Sequence, residues 1–482
     1  MSKKIIYLLS LLMALSLMFA SCKKNGITNA TDGLIPDKVP EIDNTDGAGS
    51  DGLFTDYSKI TNDVPIAKKD ITKGNGTDYV RNPVIVNLGK GNLVVFAELR
   101  YKRSGAANDV GIDGHGVVDI VYYTSKDSGK NWVTREKYVN LSGAQTTSID
   151  KSHGAPVVFY KADGSKIDGN KIVVVATSGT GIGRDSTPVT HRGVSKVDYI
   201  TGTVKVSSGS EPTITWSDGW KEITGIKDKL AGTKFATAQI SPTQYATHSA
   251  RGVVGADKKL YLPVTIAYQG TIDNSYELMG HVLVVGDNIG NTIKWAVSGD
   301  GDTVVYPDNG KFTKYKEARA TSETNYLVVP SPYYVHTIMG KGKLGNGTAS
   351  DNGVTASAGS AGYLLVPQWF GSSDYTISKD GSGNVTISST SGEQKSAIGI
   401  LTHVQQPNKN MHMYVVKKDA ESKQNSGSYK IVDNGLSSCI DVLEDGTIIT
   451  AAEEGLAGAN LNYYIVFSRY SQKFINDKTG GK

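Results

Sequence analysis

The octet at residues 125–132, SKDSGKNW, is the feature of this sequence that most constrains the fold. It follows a run of strand-forming residues, VVDIVYYT, at positions 117–124. Gly129 can adopt the positive φ that a tight turn needs, and the short side chain of Asp127 can accept hydrogen bonds from nearby backbone N–H groups. Ser125 can accept such bonds more weakly, while Trp132 offers a large apolar surface that can pack beneath a hairpin. The octet therefore predicts a β-hairpin turn with a structural role.

The rest of the chain favours an all-β fold. Its 55 glycines punctuate many short runs of strand-forming residues, and helix-like 3.6-residue periodicity is scarce over the 482 positions. The runs at 83–88 and 93–97 flank a Gly-Lys-Gly turn and predict a hairpin, and similar runs recur at 171–176, 259–264, 362–367 and 445–450. This spacing predicts a closed or radially repeated β-architecture with room for the six blades of a propeller.

Weaker versions of the octet support this repetition. Residues 286–290, GDNIG, precede Trp295 and resemble the octet with an insertion. Residues 378–383, SKDGSG, resemble an octet that has lost its tryptophan, and residues 215–220, TWSDGW, resemble the strand that follows such a turn. Together they predict further blades.

The first 22 residues have the features of an export signal. Two lysines precede an apolar run from Ile5 to Phe19 that is short for a membrane span, and Ala20 and Ser21 stand directly before Cys22. This arrangement resembles the lipobox of bacterial lipoproteins, in which the signal is cleaved before the cysteine and the thiol is lipidated. We therefore expect a lipoprotein signal peptide at 1–22 with Cys22 lipidated; an ordinary secretory signal cleaved near Ala20 is the alternative.

Residues 23–61 are rich in Asn, Asp, Thr, Gly and Pro, which predicts a flexible polar tether leading to a folded part over 62–475. Cys439 is the one cysteine besides Cys22, so a lipidated Cys22 excludes an intramolecular disulfide. The formal charge of +4 is small and no basic stripe is present, which argues against a nucleic-acid partner. The eight histidines lack metal-ligand spacing, so we expect no metal or other cofactor. The predicted protein is a monomer, anchored by lipid to a bacterial membrane at the cell surface.

The segment from Val80 to Trp132 resembles the sialidase (neuraminidase) superfamily. Its octet fits the pattern S-x-D-x-G-x-x-W, the Asp-box of that family. Arg81 and Pro83 match the Arg-Ile-Pro motif that opens sialidase catalytic domains, and LVVFAELR at 93–100 is similar to the "LLAFAEGR" strand that follows. Coarser similarity continues at 154–157, at 249–263, and at 438–446 with Glu454. The resemblance implies a six-bladed β-propeller of the sialidase type.

The resemblance also implies an exo-α-sialidase, a glycoside hydrolase that removes terminal sialic acid from glycoconjugates. Sialic acid carries a carboxylate at its anomeric carbon, and the planar fork of arginine binds a carboxylate bidentately. A carboxylate nucleophile would be repelled by that group. Sialidases accordingly use a tyrosine activated by a glutamate, with an aspartate as general acid and base.

Residue by residue, the resemblance assigns five positions. Arg81 matches the first arginine of the substrate-binding triad, Arg100 matches an accessory arginine, and Lys409 is the substitute for the third arginine. Asp113 matches the general acid, and Glu323 matches the glutamate that polarises the nucleophile. The rivals for these two catalytic positions are Asp109 and Glu317.

Three departures weaken the implied catalytic centre. The region of the second arginine, 333–340, contains no arginine, and His336 is its nearest polar candidate. A lysine replaces the third arginine, and Ser437 stands where the nucleophilic tyrosine is expected. The alternative sources of these groups are the loop residues Tyr333, Tyr334 and Arg319.

The departures favour a second hypothesis: a catalytically impaired sialidase-like lipoprotein that acts as a glycan-binding adhesin or surface antigen. Recognition of another anionic glycan, instead of a sialylated one, fits the remaining cations equally well. A similar fold alone does not decide among these functions.

Overall fold

The computed structural model describes residues 69–72, 78–101, 117–133, 138–160, 170–179, 181, 195–226, 244–254, 258–269, 276–289, 292–297, 303–305, 316–320, 325–330, 337–340, 368–369, 375–379, 385–389, 398–404, 409–417, 428–435, 437–443, 448–455 and 463–470. The elements with defined bounds in these ranges are β-strands and one 3₁₀ turn, Ile149–Lys151. The all-β prediction is therefore confirmed.

In chain order the strands are β1 (Lys69–Thr72), β2 (Asp78–Gly89), β3 (Asn92–Tyr101), β4 (Val118–Ser125), β5 (Val139–Asn140), β6 (His153–Phe159), β7 (Lys171–Gly179), β8 (Ser195–Ser207), β9 (Ser210–Trp216), β10 (Lys221–Glu222), β11 (Gln244–Ala246), β12 (Ala250–Arg251), β13 (Val253–Val254), β14 (Leu260–Gln269), β15 (Tyr276–Ile289), β16 (Thr292–Val297), β17 (Thr303–Val305), β18 (Lys316–Ala320), β19 (Asn325–Pro330), β20 (Thr337–Gly340), β21 (Gln368–Trp369), β22 (Tyr375–Lys379), β23 (Val385–Ser389), β24 (Ile398–Val404), β25 (Lys409–Lys417), β26 (Ser428–Gly435), β27 (Ser438–Val442), β28 (Ile448–Gly455) and β29 (Tyr463–Tyr470).

Among the described residues the strands form six sheets of three or more strands and one hairpin, β22–β23. Four sheets have the orders β2-β3-β4-β5, β18-β19-β20, β21-β24-β25-β26 and β1-β29-β28-β27. A fifth has the order β10-β8-β7-β6-β12 with β9 beside β8, and the sixth has the order β11-β14-β15-β16 with β13 beside β14 and β17 beside β15. Apart from the parallel pair β6–β12, the pairings described are antiparallel. Strands close in sequence therefore build most of each sheet.

One sheet joins the two ends of the described chain. β1 pairs antiparallel with β29, with Lys69 opposite Phe467. β29 in turn pairs with β28, and β28 pairs with β27. The sheet that contains β27, β28 and β29 is thus completed by the first described strand.

The core lies between the sheets. Strands β2, β3, β4 and β7 contain long runs of buried residues, as expected for strands covered on both faces. One apolar cluster includes Val84, Phe96 and Val174 together with Phe467 of the C-terminal sheet. A second cluster includes Phe159 and residues of the β14–β15 pair. In each cluster, buried side chains from different sheets therefore pack against one another.

The octet at 125–132 forms the predicted turn. Ser125 Oγ donates to Asp127 Oδ1 at 2.9 Å and accepts from the Gly129 N–H at 3.0 Å, and Asp127 Oδ1 accepts from the Asn131 N–H at 2.8 Å. Gly129 has a φ of 83°, and a Cβ at this position would collide with the ring of Phe467. The Trp132 ring packs edge-on against the same phenylalanine, with centroids 5.2 Å apart. The octet therefore fixes its own turn and anchors it to the C-terminal sheet.

Residues 286–289 of the weaker octet do not repeat the turn seen at 125–132, and Gly290 lies outside the described residues. Gly286 and the three residues after it continue β15, and Gly286 lies opposite Trp295 of β16. A Cβ on Gly286 would lie 2.7 Å from the Trp295 ring. The same arrangement occurs between β8 and β9, where Gly202 faces Trp216. The repeated feature is thus a tryptophan that covers a glycine on the adjacent strand. A larger residue at the glycine position would collide with the indole ring.

The expected signal peptide at 1–22, including Cys22, and the tether at 23–61 lie outside the described residues. In the part of the chain that the structure describes, no helix is long and apolar enough to cross a bilayer.

Candidate functional site

Arg81 lies at a bulge in β2. The pairing of β2 with β3 is regular up to Arg81, which faces Glu98, and resumes only at Val84. Between them Asn82 has a φ of 53°, an uncommon conformation for a residue other than glycine. Arg81 is 6% exposed, so its charge requires a partner.

Glu453 of β28 supplies that partner. Its Oε1 accepts hydrogen bonds from Arg81 Nε at 2.8 Å and from the Asn82 N–H at 2.6 Å, and its Oε2 accepts one from the Ser437 N–H at 3.0 Å. Glu453 is fully buried. Because three donors converge on one carboxylate, the Arg81 side chain has a fixed orientation and both buried charges are compensated.

Arg100 has a similar partner on its own strand. Glu98 Oε2 accepts a hydrogen bond from Arg100 Nε at 2.7 Å and forms a close ion pair with Arg100 Nη2. Glu98 Oε1 accepts a hydrogen bond from the Ala155 N–H at 2.6 Å. Both side chains of the ion pair are buried. The second predicted substrate-binding arginine is thus also fixed by a buried carboxylate.

The structure brings Arg81 and Arg100 into one region, because Glu98 faces Arg81 across β2–β3 and binds Arg100. Lys409 is the first residue of β25 and pairs with Gly435 of β26; its side chain lies outside the described part of the structure. Glu317 and Arg319 lie in β18, and their side chains are outside it as well. The candidates that lie wholly outside the described residues are Asp109, Asp113, Glu323, Tyr333, Tyr334 and His336.

Ser437 stands at the position where the resemblance places a nucleophilic tyrosine. It contacts Glu453, the glutamate that binds Arg81. Its N–H donates to Glu453 Oε2, and its carbonyl accepts a hydrogen bond from the Glu453 N–H at 2.8 Å. Ser437 is buried. This position therefore adjoins the Arg81–Glu453 ion pair but carries a hydroxymethyl group in place of a phenol.

No role was predicted for Glu98 or Glu453. The resemblance to sialidases includes Glu454, but the residue that binds Arg81 is its neighbour, Glu453. A local signal did exist, since each glutamate stands within a run of apolar strand residues, where a buried carboxylate needs a partner. The identity of the partner is a long-range property that the sequence alone did not give.

A second polar cluster contains the residue types of a hydrolase triad but a different arrangement. His153 Nε2 lies 3.1 Å from Asp198 Oδ2, and the His153 ring stacks on Trp220 at a centroid distance of 4.1 Å. Burial raises the pKa of Asp198, but hydrogen bonds from His153 and Ser178 and nearby positive charge outweigh it and lower the pKa below its usual value. Asp198 is thus the common partner of the serine and the histidine. A nucleophilic serine would need the histidine as its direct partner, so we assign this cluster a structural role.

No group of three His, Cys, Asp or Glu side chains within the described ranges is arranged to hold a metal ion.

No protein-family model matches the chain, and no curated protein matches it in sequence. Solved structures do match its fold. The sialidase of Trypanosoma rangeli matches with a TM-score of 0.51 and 16% identity, covering 83% of this chain and 56% of the sialidase. The same enzyme in complex with sialic acid matches with a TM-score of 0.50 and 16% identity, covering 81% of this chain and 54% of that one.

The chain therefore spans about half the length of the Trypanosoma sialidase it matches. The intramolecular trans-sialidase of Ruminococcus gnavus, in complex with oseltamivir carboxylate, matches with a lower TM-score of 0.46 and 12% identity, covering 86% of this chain and 98% of that one. At the identity of the first two matches the likeness concerns the fold. The chain is an all-β protein with a sialidase-like fold.

Proposed function

We propose that this chain is an exo-α-sialidase-like glycoside hydrolase that removes terminal sialic acid from glycoconjugates. The observation that carries the proposal is the buried Arg81, held by Glu453 within a fold that matches a sialidase solved with sialic acid bound. An arginine whose orientation is fixed before the ligand arrives loses little entropy when it binds a carboxylate. The Arg81–Glu453 pair thus suits the recognition of an acidic sugar.

The remaining site residues belong to the same proposal. Arg100 and Lys409 add positive charge for the sugar carboxylate. Asp113 acts as general acid and base, and Glu323 polarises the nucleophile. A retaining glycosidase divides the reaction between an acid and base group and a nucleophile. Because Ser437 stands at the expected tyrosine position, Tyr333 and Tyr334 are the proposed sources of the nucleophile.

The proposed architecture is a six-bladed β-propeller over 62–475. Its support is the number of sheets, six with three or more strands among the described residues, and the pairing of β1 with β29. Pairing of the first strand with the last closes a ring of blades without leaving an open edge.

The proposed location is the bacterial cell surface. Cys22 carries the lipid anchor, residues 23–61 form the tether, and the propeller is a monomer that meets sialylated glycans. The support is the apolar run at residues 5–19 and the small pair before Cys22.

A fluorogenic sialoside tests the enzymatic function. The purified full chain, kept in mild detergent, is expected to release the fluorophore, and Asp113→Asn is expected to lower the rate about a hundredfold or more because the general acid is lost. Asp109→Asn is the matched control and is expected to retain the wild-type rate. Loss of activity in Asp109→Asn alone would make Asp109 the general acid. No release by the wild-type chain would overturn the proposed activity.

The second candidate function is glycan binding without turnover, as in an adhesin or surface antigen. The observation that favours it is Ser437, which is buried beside Glu453 and lacks a phenol. Titration of the same preparation with sialic acid separates the two functions. Saturable binding without fluorophore release supports the adhesin, and binding of a different acidic sugar supports recognition of another anionic glycan.

A further inference from the structure

Two buried glutamates hold neighbouring sheets together in the same way. Glu453, on β28, accepts a hydrogen bond from the Asn82 N–H in β2, and Glu98, on β3, accepts one from the Ala155 N–H in β6. Both distances are 2.6 Å. The donor residues have φ values of 53° and 51°, and each lies at a bulge and precedes a proline. The contact is therefore a repeated device in which a carboxylate of one sheet fixes a bulge in the next.

A related contact between sheets uses a hydroxyl group, although its donor, Thr247, has no positive φ and does not precede a proline. Thr177 on β7 accepts a hydrogen bond from the Thr247 N–H at 2.7 Å, just after β11 of the adjacent sheet. Thr177 lies opposite Gly154, and Glu98 lies opposite Arg81, so the two acceptors occupy equivalent positions in their sheets. A threonine is therefore sufficient to hold the backbone of the next sheet.

The carboxylates need a further explanation, because a buried charge is costly and a hydroxyl performs the backbone function without it. Each glutamate also binds an arginine. The contacts described for Thr177 include no arginine. Glu453 accepts from Arg81 Nε at 2.8 Å, and Glu98 accepts from Arg100 Nε at 2.7 Å. A charged acceptor is thus present at the two positions where the acceptor also orients an arginine.

We infer that Glu98 is a positioning residue that fixes the Arg100 guanidinium and the Ala155 N–H as one unit, as Glu453 fixes Arg81 and Asn82. The inference rests on the proposed function in that Arg100 serves an acidic sugar. Gly154 belongs to this unit, because a Cβ there would lie 3.2 Å from Glu98 Oε1 and would press on the carboxylate. The glycine leaves the space in which Glu98 reaches both donors.

Hydrogen exchange of the full chain in detergent, without ligand, tests the geometry. Glu98→Gln is nearly isosteric but cannot accept at both side-chain positions, so the Ala155 amide or the Arg100 Nε proton is expected to exchange at least about tenfold faster. The Asn82 amide is expected to stay protected. Glu453→Gln is the matched control and is expected to deprotect the Asn82 or the Ser437 amide, because one amide oxygen cannot serve both, while Ala155 stays protected. Unchanged protection of both Ala155 and Arg100 in Glu98→Gln overturns the inference.

A ligand comparison separates positioning from mere structural support. N-acetylneuraminic acid and its neutral methyl ester are titrated against wild type, Glu98→Gln and Gly154→Ala. Both variants are expected to lower the affinity for the acid roughly tenfold more than the affinity for the ester, because only the acid meets a charged arginine. Glu222→Gln, at an exposed ion pair with Lys196, is the control and is expected to bind like wild type.

Each remaining outcome is decisive. If Glu98→Gln weakens the acid and the ester equally, Glu98 is a structural residue and the inference fails. If the wild-type chain binds neither compound, the proposed function fails, and the exchange result alone decides whether Glu98 sets the Arg100–Ala155 unit. Circular dichroism of each variant establishes that it is folded before binding is compared.

Discussion

The Nε atom of Arg81 lies 2.8 Å from Oε1 of Glu453, although 372 positions separate the two residues in the chain. The contact joins β2 to β28, so the arginine of one sheet is held by a glutamate of the C-terminal sheet. Both side chains are buried, so removal of either would leave a charge without its partner in the interior. The candidate site and the stability of the fold are therefore coupled at this pair.

The first prediction concerns this pair. Glu453→Ala is expected to lower the free energy of unfolding by about 3–5 kcal/mol, because Arg81 would remain charged, buried and deprived of its carboxylate. The measurement is urea unfolding followed by tryptophan fluorescence. Glu222→Ala, which removes an exposed partner of Lys196, is the control and is expected to change stability by less than about 1 kcal/mol. Equal effects of the two substitutions would contradict the prediction.

The second prediction concerns the turn octet. Gly129 and Gly143 have similar φ values, 83° and 78°, but a Cβ on Gly129 meets the Phe467 ring while a Cβ on Gly143 meets nothing within 4 Å. Gly143→Ala is expected to cost about 1 kcal/mol through its backbone conformation alone. Gly129→Ala is expected to cost about 1–3 kcal/mol more, because the ring must move. Urea midpoints measure both, and similar midpoints would show that the ring contact is unimportant.

The third prediction concerns acid stability. The pKa of Asp198 is lowered in the folded protein from a usual value of 3.8, so the unfolded chain takes up this proton first as the pH falls. The stabilisation is complete well above pH 3.8 and is lost as the pH falls through 3.8 towards the folded pKa. Asp198→Asn is expected to be less stable than wild type at pH 6, and this difference is expected to shrink towards pH 3. Urea unfolding at several pH values measures it; a difference that is independent of pH would rule out the linkage.

The fourth prediction concerns the thiols. Cys439 is buried, and burial raises the pKa of its thiol to about 12, which leaves little thiolate at neutral pH. If Cys22 carries lipid, the purified native chain is expected to show no thiol that reacts with a maleimide, and the chain in denaturant is expected to show one. Mass spectrometry counts the added groups. Labelling of the native chain at Cys22 would exclude the lipid anchor, and native labelling at Cys439 would contradict its burial.

The sequence predicted those parts of the fold that local chemistry decides. The octet at 125–132 forms its turn because Ser125 and Asp127 bind backbone groups within four residues of themselves. Residues 286–289 of the weaker octet have turn propensity but lie in a strand, where Gly286 faces Trp295. Local propensity gave way to a cross-strand contact that no turn pattern encodes.

The candidate site divides in the same way. Arg81 and Arg100 were predicted as site residues because each belongs to a short motif that resembles a family pattern. Glu453 was missed because its function lies in a contact with a residue at the other end of the chain. Glu98 was missed although it stands in the same motif as Arg100, because its second contact, to the Ala155 N–H, crosses to another sheet. Motifs identify residues, whereas partnerships across sheets require coordinates.

The pairing of β1 with β29 has a consequence for biosynthesis. The ribosome makes β1 before β29, the strand that pairs with it, and strands β2 to β28 are made between the two. Until β29 has been made, β1 cannot pair with it, and the sheet of β1, β27, β28 and β29 is incomplete. A premature stop codon before Tyr463 would therefore affect more than the region after it, because it would leave β1 without its pairing strand and exposed to proteases. Quality control of this protein is thus expected to depend on the synthesis of β29.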